Sequence, residues 1–399
     1  MPPKFKSKYI KLPPHRETNK TKLAHLYRLG LRNRYGDKMQ STAGIHFNFS
    51  FSDSVLAELD CTKTNLYLGT CRNFLRLFPI VLRLMGCSPI AHKSFLKGRN
   101  INIEALNAED CYLPKSTSLR VSRLGYYSEE QDEKFITFNT LDDYLDTIKS
   151  YINQPNEKFK DISLDLKQQV NNGTIQMESE LYNHIRPKGI ISKDIRAYNQ
   201  LKKGGIEYLE IRSIDLNPYS DIGISIEDIE FLELVSMYCA LSDSPEINNT
   251  ESVYIKENIR RASESGQNCN FIMSLDGEEG EISAQAQTQI FLNNLKDFAD
   301  QTNSSNGKEK MFAEFESRNK DPLSSRFIAD ASKAGGVLPL ILEKSQQSNK
   351  KVDASNLSIF MKEKELSEKE YKREMNEDEI SFEEYLDAFR GEIKWKYYI

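Results

Sequence analysis

The alternation of apolar and polar residues predicts a strand within residues 204–220, and this strand is the most informative element of the chain. Successive side chains of a strand point to opposite faces, so Glu210 and Arg212 share one face. Two positions along a strand span about 7 Å, which we expect to be too far for a tight salt bridge but suitable for sharing a metal ion and a phosphate. An ordinary ion pair on an exposed sheet face is the alternative. The same face carries Ile206, Tyr208 and Ile214, and the opposite face carries Leu209 and Ile211.

The same pattern predicts further elements along the chain. Residues 42–51 alternate cleanly, which predicts a half-buried strand with His46 on its polar face. Shorter strands are predicted at residues 134–139 and at residues 174–182, the latter with carboxylates on its polar face. Helical periodicity predicts core helices at residues 65–85 (kinked near Pro79 and ending at Gly86), 141–152 and 226–241.

This mixture predicts an α+β fold in which an antiparallel sheet has one open polar face that forms the functional site, with helices packed around it. Three segments are predicted. Residues 1–22 form a basic, poorly ordered N-terminal arm, residues 23–300 form the core that carries the site, and residues 301–399 form a charged helical region packed on that core. The arm has no apolar stretch of the kind found in secretory signals, and an RNA-binding arm is the alternative interpretation.

Composition changes this picture little. The chain has 399 residues, a formal net charge of -5 and 28% charged residues, which give no general case for nucleic-acid binding. Its six cysteines include no Cys-x-x-Cys pair, so neither a zinc knuckle nor a redox motif is supported. No run of about 18 apolar residues is present. We therefore expect a cytoplasmic protein that binds neither nucleic acid nor membranes and that is a monomer or a weak homo-oligomer.

Arginine beside tyrosine recurs in the segments predicted to be structured, which indicates a carboxylate or phosphate pocket with apolar walls. These arginines are Arg28, Arg32 and Arg34, then Arg120, then Arg186, the last with Lys188 nearby. A solvated surface arginine explains any one of them, but explains all of them together less well. Neither a P-loop nor a G-x-G-x-x-G motif occurs, so those two nucleotide-binding signatures are excluded. His46 is interpreted either as a hydrogen-bonded structural residue or as a metal ligand.

Five segments carry a resemblance to a known family. In chain order they are residues 26–36 (Leu-Tyr-Arg-Leu-Gly-Leu-Arg-Asn-Arg-Tyr-Gly), 41–50 (Ser-Thr-Ala-Gly-Ile-His-Phe-Asn-Phe-Ser), 112–120 (Tyr-Leu-Pro…Thr-Ser-Leu-Arg), 180–188 (Glu-Leu-Tyr…Ile-Arg-Pro-Lys) and 204–218 (Gly-Gly-Ile-Glu-Tyr-Leu-Glu-Ile-Arg-Ser-Ile-Asp-Leu-Asn-Pro). Together they resemble the glutamate-cysteine ligases of the proteobacterial type. The similarity spans about residues 23–390.

The resemblance implies a glutamine-synthetase-like fold, with residues 23–300 as the ligase core. It also implies the ATP-dependent joining of the γ-carboxylate of L-glutamate to L-cysteine through an acyl phosphate, the first step of glutathione biosynthesis. ATP and Mg²⁺ are the implied cofactors. By matching motif, Glu210 and His46 would be metal ligands, and Arg212, Arg28 and Glu210 would be catalytic. The implied substrate-binding residues are Arg120 and Gln40 for glutamate, and Tyr27, Leu31, Tyr126 and Tyr182 for cysteine.

Two departures from the family pattern set a second expectation. Family members begin with a further segment whose carboxylates bind most of the magnesium, and this segment is not found here. The Tyr-Gly-x-Ser-Asn-x-Gly stretch before the first motif is replaced by residues 15–21, which contain no glycine. Because Mg²⁺ prefers an octahedral set of oxygen ligands, Glu210 and His46 alone should bind it poorly. We therefore expect a shortened ligase with little activity on its own, and the alternative is an amino-acid-binding or interaction module.

Overall fold

The computed structural model of the chain describes residues 10–14, 17–38, 41–59, 61–96, 103–125, 127–132, 135–190, 195–275, 278–349, 357–376 and 380–393. These residues form two compact units. The larger unit comprises Thr42–Thr147 and Tyr182–Lys344. The smaller unit comprises the segment that ends at Ser41, Ile148–Leu181 and the segment that begins at Ser345. The predicted boundaries after residues 22 and 300 fall inside these units, and the roles assigned to the three predicted segments stay predictions.

The strands form small antiparallel sheets, and with the helices they make an α+β fold. In chain order the strands are β1 (Ile45–Phe49), β2 (Ile90–His92), β3 (Glu104–Ala105), β4 (Asp110–Tyr112), β5 (Ile185–Lys188), β6 (Tyr208–Ile214), β7 (Asn270–Leu275) and β8 (Glu278–Ser283). They pair in the orders β1-β6-β5, β2-β4-β3 and β7-β8.

The helices account for most of the regular structure. They are α1 (Asn19–Tyr35), α2 (Asp53–Glu58), α3 (Lys63–Met85), α4 (Lys93–Leu96), α5 (Glu129–Asp132), α6 (Leu141–Asn153), α7 (Ala197–Gly204), α8 (Ile226–Leu241), α9 (Asn249–Ser265), α10 (Ala284–Gln301), α11 (Glu309–Lys320), α12 (Leu323–Lys333), α13 (Val337–Asn349), α14 (Leu357–Asn376) and α15 (Phe382–Gly391). Among the described residues, none of these helices is long and apolar enough to cross a membrane.

Helix α3 is the central element of the larger unit. The hydroxyl of Thr62 accepts the backbone N–H of Asn65 and caps its first turn, and the helix ends at Gly86, as predicted. Pro79 lies inside the helix. Helix α3 packs against α8, α9, β5 and β6, and most of its last three turns is buried. Helix α8 begins with a cap at Ser225, which forms a complete capping box with Asp228.

The smaller unit is built from segments that are far apart in sequence. Leu23 and Leu26 of α1 pack against Val170 and against Leu386 of α15 in one buried cluster. Arg34 of α1 is fully buried, and its Nη1 lies 3.1 Å from Oε1 of Glu180, which is also fully buried. An arginine buried in this way needs both a counter-charge and hydrogen-bond partners, and Gln169 and the carbonyl of Asn171 supply more of the latter.

The strand predicted at residues 174–182 is wrong. The carboxylate of Glu180 accepts the backbone N–H of Gln176 at 2.8 Å, and the side chain of Asn171 donates to the Gln176 carbonyl at 2.7 Å. Side chains therefore use the backbone groups that a sheet ladder needs. The segment is irregular and ends in a 3₁₀ turn at Glu178–Glu180.

The strand predicted at residues 134–139 is also wrong over its described part, residues 135–139. Phe138 has a positive φ of 55°, a conformation that no strand adopts. This backbone turns the Phe138 ring into the core, where it stacks on Tyr144 with ring centroids 5.3 Å apart. The following helix begins as predicted, with the Thr140 hydroxyl accepting the backbone N–H of Asp143.

Candidate active site

The candidate site lies on one face of the sheet β1-β6-β5. Glu210 of β6 stands directly opposite Asn48 on one neighbouring strand and Arg186 on the other. Directly opposed residues of antiparallel strands share a face, so these three side chains form a polar row across the sheet. The other face carries Leu209, Ile211 and Ile185, each fully buried, and β5 and β6 pack against α3. The predicted pattern of one polar and one apolar face is therefore present.

Four ionisable side chains meet on the polar face. Oε2 of Glu210 lies 2.6 Å from Nη1 of Arg212 and 3.2 Å from Nζ of Lys188. Oε1 of Glu210 lies 3.4 Å from Nδ1 of His46. The expectation that Glu210 and Arg212 are too far apart for a salt bridge is wrong. Strand rise separates their backbones, but the long arginine side chain folds back along the strand and closes the gap.

Electrostatics make this face attractive to an anion. Burial by itself raises the pKa of the Glu210 carboxyl, but the hydrogen bond from Arg212 and the charge of Lys188 lower this pKa below its ordinary value. Burial lowers the pKa of His46, and the charge of Arg212 lowers it further, so the imidazole is neutral at pH 7. Arg186, Lys188 and Arg212 thus bring three cationic side chains close to the carboxylate of Glu210. Cations grouped in this way suit phosphate groups.

A metal ion fits this arrangement poorly. Within the described parts of the chain, no three His, Cys, Asp or Glu side chains are grouped so as to hold a metal. Glu210 is instead engaged by Arg212, Lys188 and His46. Hard cations such as Mg²⁺ need several oxygen ligands, and one carboxylate beside a neutral imidazole supplies too few. The roles of Glu210 and His46 as metal ligands stay predictions.

Arg120 lies where β6 ends. Its Nε donates to Oδ1 of Asp215 at 2.7 Å, and its Nη2 donates to the Ile214 carbonyl at 2.9 Å. These residues directly follow the stretch of β6 that carries Glu210 and Arg212. The His184 ring stacks on Phe78 at 4.2 Å. Burial lowers the pKa of His184 to about 3, and the charge of Arg120 contributes to this shift, so His184 adds no positive charge beside the guanidinium.

The remaining predicted residues fall into three groups. Tyr182 lies in the larger unit just before β5, where its backbone N–H donates to Oε1 of Gln131 at 2.7 Å. Tyr27, Arg28 and Leu31 lie on α1 of the smaller unit; Arg28 is exposed, and Tyr27 and Leu31 are half-buried one turn apart. Gln40 and Tyr126 lie outside the described residues. The roles of all six stay predictions.

The structure places three further residues here. The sequence indicates Arg186 and Lys188 only as cations of a carboxylate or phosphate pocket, and their spacing of two is the signal that they share a face if they lie on a strand; the structure pairs that strand with β6, with Arg186 opposite Glu210. No role for Asp215 follows from the sequence. It follows an apolar residue at the end of a strand, and nothing in its sequence environment indicates that it pairs with Arg120.

The fold and this site define a class: an α+β protein whose sheet face presents cations to an anionic ligand. Comparisons with known proteins narrow that class. A sequence profile of the family described as glutamate-cysteine ligase matches residues 1–262. The chain is 31% identical over 410 residues to a glutamate–cysteine ligase of Aliivibrio fischeri, covering 96% of this chain and 78% of that protein. It is 35% identical over 372 residues to the one of Wigglesworthia glossinidia brevipalpis, covering 86% and 73%.

A solved structure shows the same fold. The glutamate–cysteine ligase of Francisella tularensis, determined in complex with AMP, matches with a TM-score of 0.89 at 23% identity. The match covers 98% of this chain and 80% of that one. The chain belongs to the glutamate-cysteine ligase family.

Proposed function

We propose that this chain catalyses the ATP-dependent ligation of the γ-carboxylate of L-glutamate to the amine of L-cysteine, the first step of glutathione biosynthesis. Family membership supports the reaction class. The main support for the proposal is the group of three cations around Glu210 on one face of the sheet. In addition, Arg120 is hydrogen-bonded to the last residue of the central strand, β6. The sheet face thus offers positive charge to a triphosphate, and Arg120 offers a guanidinium to an amino acid.

The cations of the sheet face are assigned to the nucleotide phosphates. Transfer of the terminal phosphoryl group spreads negative charge over its oxygens, and catalysis depends on fixed positive groups that stabilise this charge. Arg212 and Lys188 both lie within hydrogen-bond distance of Glu210. Their side chains are therefore positioned before the nucleotide binds. Binding of AMP by the Francisella protein supports a nucleotide at this fold.

The amino acids are assigned to the neighbouring groups. Arg120 contacts a carboxylate of glutamate, whose γ-carboxylate oxygen attacks the terminal phosphorus and releases ADP. The amine of cysteine then attacks the acyl carbon, the amide bond forms, and phosphate leaves. Holding two substrates side by side in this way removes most of the entropic barrier of a bimolecular step. Tyr27, Leu31, Tyr126 and Tyr182 are proposed for the cysteine side, Gln40 for glutamate, and Arg28 for the phosphates.

We infer that the sheet β1-β6-β5 belongs to a glutamine-synthetase-like fold, because its three antiparallel strands leave one polar face open. Mg²⁺ is the divalent ion that ATP-dependent ligation of this kind uses. Among the described residues, Glu210 alone does not make a protein-bound magnesium site. We therefore assign the nucleotide phosphates to Arg186, Lys188 and Arg212.

The test is direct ligation by the purified chain. Incubation with L-glutamate, L-cysteine, ATP and Mg²⁺ should give γ-glutamylcysteine, detected by mass spectrometry, together with ADP. Hydroxylamine in place of cysteine should trap the acyl phosphate as the hydroxamate. Arg212→Met should abolish both products. Arg261→Met, which removes an arginine paired with Glu257 at 2.9 Å on helix α9, is the matched control and should not.

The same assay separates the alternatives. The expectation of weak activity by the chain alone stays a prediction, and the measured rate tests it. If no product forms but calorimetry shows glutamate binding that Arg120→Lys weakens, the chain is an amino-acid-binding module instead. If neither product nor binding is found, both interpretations are wrong.

A further inference from the structure

Asp215 places a buried carboxylate behind the guanidinium of Arg120. Its side chain is 2% exposed, and its Oδ1 accepts Nε of Arg120 at 2.7 Å. Its Oδ2 accepts the backbone N–H of Cys87 at 3.0 Å and the hydroxyl of Ser88 at 2.7 Å. Both oxygens are therefore occupied by groups of the protein interior. This carboxylate has one orientation and does not face a ligand.

The hydrogen bonds that Arg120 donates to described residues come from only two of its three guanidinium nitrogens, Nε and Nη2. A guanidinium has five N–H donors in one plane. Nε donates to Asp215, and Nη2 donates to the Ile214 carbonyl at 2.9 Å. Nη1 donates to no residue in the part of the chain that the structure describes. The protein thus uses one edge of the fork and leaves the Nη1 edge for a carboxylate, which guanidinium groups bind through two parallel hydrogen bonds.

The backbone at Gly44 lies close to the guanidinium of Arg120 and restricts where it can lie. A Cβ atom at position 44 would lie 2.6 Å from Cζ of Arg120, 2.7 Å from Nη2 and 2.8 Å from Nη1. Any larger residue at this position would push the guanidinium aside. Gly44 directly precedes β1. The position of Arg120 is therefore defined at Nε by Asp215 and over the guanidinium plane by the backbone that leads into the sheet.

We propose that Asp215 is a positioning residue for glutamate recognition: it holds the guanidinium of Arg120 so that the Nη1 edge meets a glutamate carboxylate. The inference rests on the proposed function, in which Arg120 binds glutamate. Asp215 also supplies the counter-charge for this guanidinium, whose side chain is only 11% exposed. Among the described residues, Asp215 is the carboxylate that pairs with Arg120, and burial keeps His184 beside it neutral.

The test is the kinetics of Asp215→Asn in the full chain. An asparagine keeps the shape but offers a single acceptor oxygen, so it cannot bind Arg120 on one side and both Cys87 and Ser88 on the other. We expect KM for glutamate to rise roughly ten- to hundredfold, the range for an arginine that loses a charge-assisted partner. KM for ATP should stay within about twofold, because the nucleotide cations keep their partners.

Two further variants separate positioning from stability. Asp228→Asn is the matched control, since Asp228 is equally buried and pairs with Arg318 at 2.6 Å; it should lower thermal stability but leave KM for glutamate unchanged. Gly44→Ala displaces the same guanidinium without removing any charge. It should raise KM for glutamate in the same selective way, which gives a result even if Asp215→Asn does not fold.

Each outcome is informative. A selective rise of KM for glutamate in Asp215→Asn, or in Gly44→Ala where Asp215→Asn does not fold, supports the inference. Wild-type ligation together with an unchanged glutamate KM in a folded Asp215→Asn, an unchanged KM in Gly44→Ala where Asp215→Asn does not fold, or equal rises for glutamate and ATP overturns the inference and leaves the proposed function standing. No ligation and no glutamate binding by the wild-type chain overturns the proposed function, and the positioning role fails with it.

Discussion

Replacing Lys188 with methionine tests the assignment of the sheet face to phosphates. The Nζ of Lys188 lies 3.2 Å from Oε2 of Glu210, and its side chain is 28% exposed, so a phosphate oxygen reaches it from the open side of the sheet. Methionine keeps the apolar length of the side chain and removes its charge. The variant loses one cation and also leaves the carboxylate of Glu210 less neutralised, and both changes disfavour an anion.

The expected magnitude follows from the type of contact. A hydrogen bond between a charged donor and a phosphate is worth about 1.5–3 kcal/mol net. A free-energy loss of this size weakens binding by roughly 10- to 150-fold. The contact is partly open to water, so we expect the lower half of this range at about 0.15 M salt and a smaller ratio at about 1 M salt.

The assay is calorimetric titration of the chain with ATP. The matched control is Lys203→Met, which removes the same charge from an exposed lysine in the last turn of α7. We expect Lys188→Met to raise the Kd for ATP at least about tenfold and Lys203→Met to change it less than about twofold. Equal effects of the two variants would show that only net charge matters, and the assignment of the sheet face would then be wrong.

Two other predictions concern stability. Burial lowers the pKa of His184 from 6.5 to about 3. Below pH 6.5 the unfolded chain therefore binds more protons than the folded chain. As a result, the free energy of unfolding should fall by about 1–2 kcal/mol between pH 7 and pH 5. Urea unfolding should show this loss in the wild type and not in His184→Gln, and equal losses would contradict it. Arg34→Met should lower the stability of the smaller unit by about 3 kcal/mol or more, because Glu180 is left buried without its partner. Adding Glu180→Gln should recover part of this loss, and a loss below about 1 kcal/mol in the single variant would refute the reasoning.

Alternation was sufficient to predict two of the three strands of the sheet that carries the site. The strand around His46 alternates between half-buried and exposed residues, and the strand around Glu210 buries Leu209 and Ile211 on one face, so each shows a period of two. Strand β5 has only four residues and includes a proline, so its pattern is too short to stand out. Its two cations were visible in the sequence, but their place opposite Glu210 was not.

Specific side-chain contacts, both local and distant, account for the errors. The segment before Tyr182 alternates like a strand, yet Glu180 and Asn171 take its backbone hydrogen bonds. The pairing of Asp215 with Arg120 joins residues 95 positions apart, and no local pattern specifies it. The position of Arg212 over Glu210 depends on the reach of a flexible side chain, which strand geometry alone does not give. Local periodicity predicts which way a residue faces but not which partner it finds.

The way in which the smaller unit is assembled affects how the chain folds during synthesis. Its first helix, α1, leaves the ribosome early, but one wall of its apolar cluster is Leu386, and the amide of Asn19 bonds to the carbonyl of Ile380 at 2.8 Å across 361 positions. Closing so long a loop is slow compared with the formation of local contacts. The side of α1 that contacts α15 therefore stays uncovered until Ile380 and Leu386 have been translated. Nascent chains of this protein should need shielding from aggregation for longer than those whose early helices find their partners nearby.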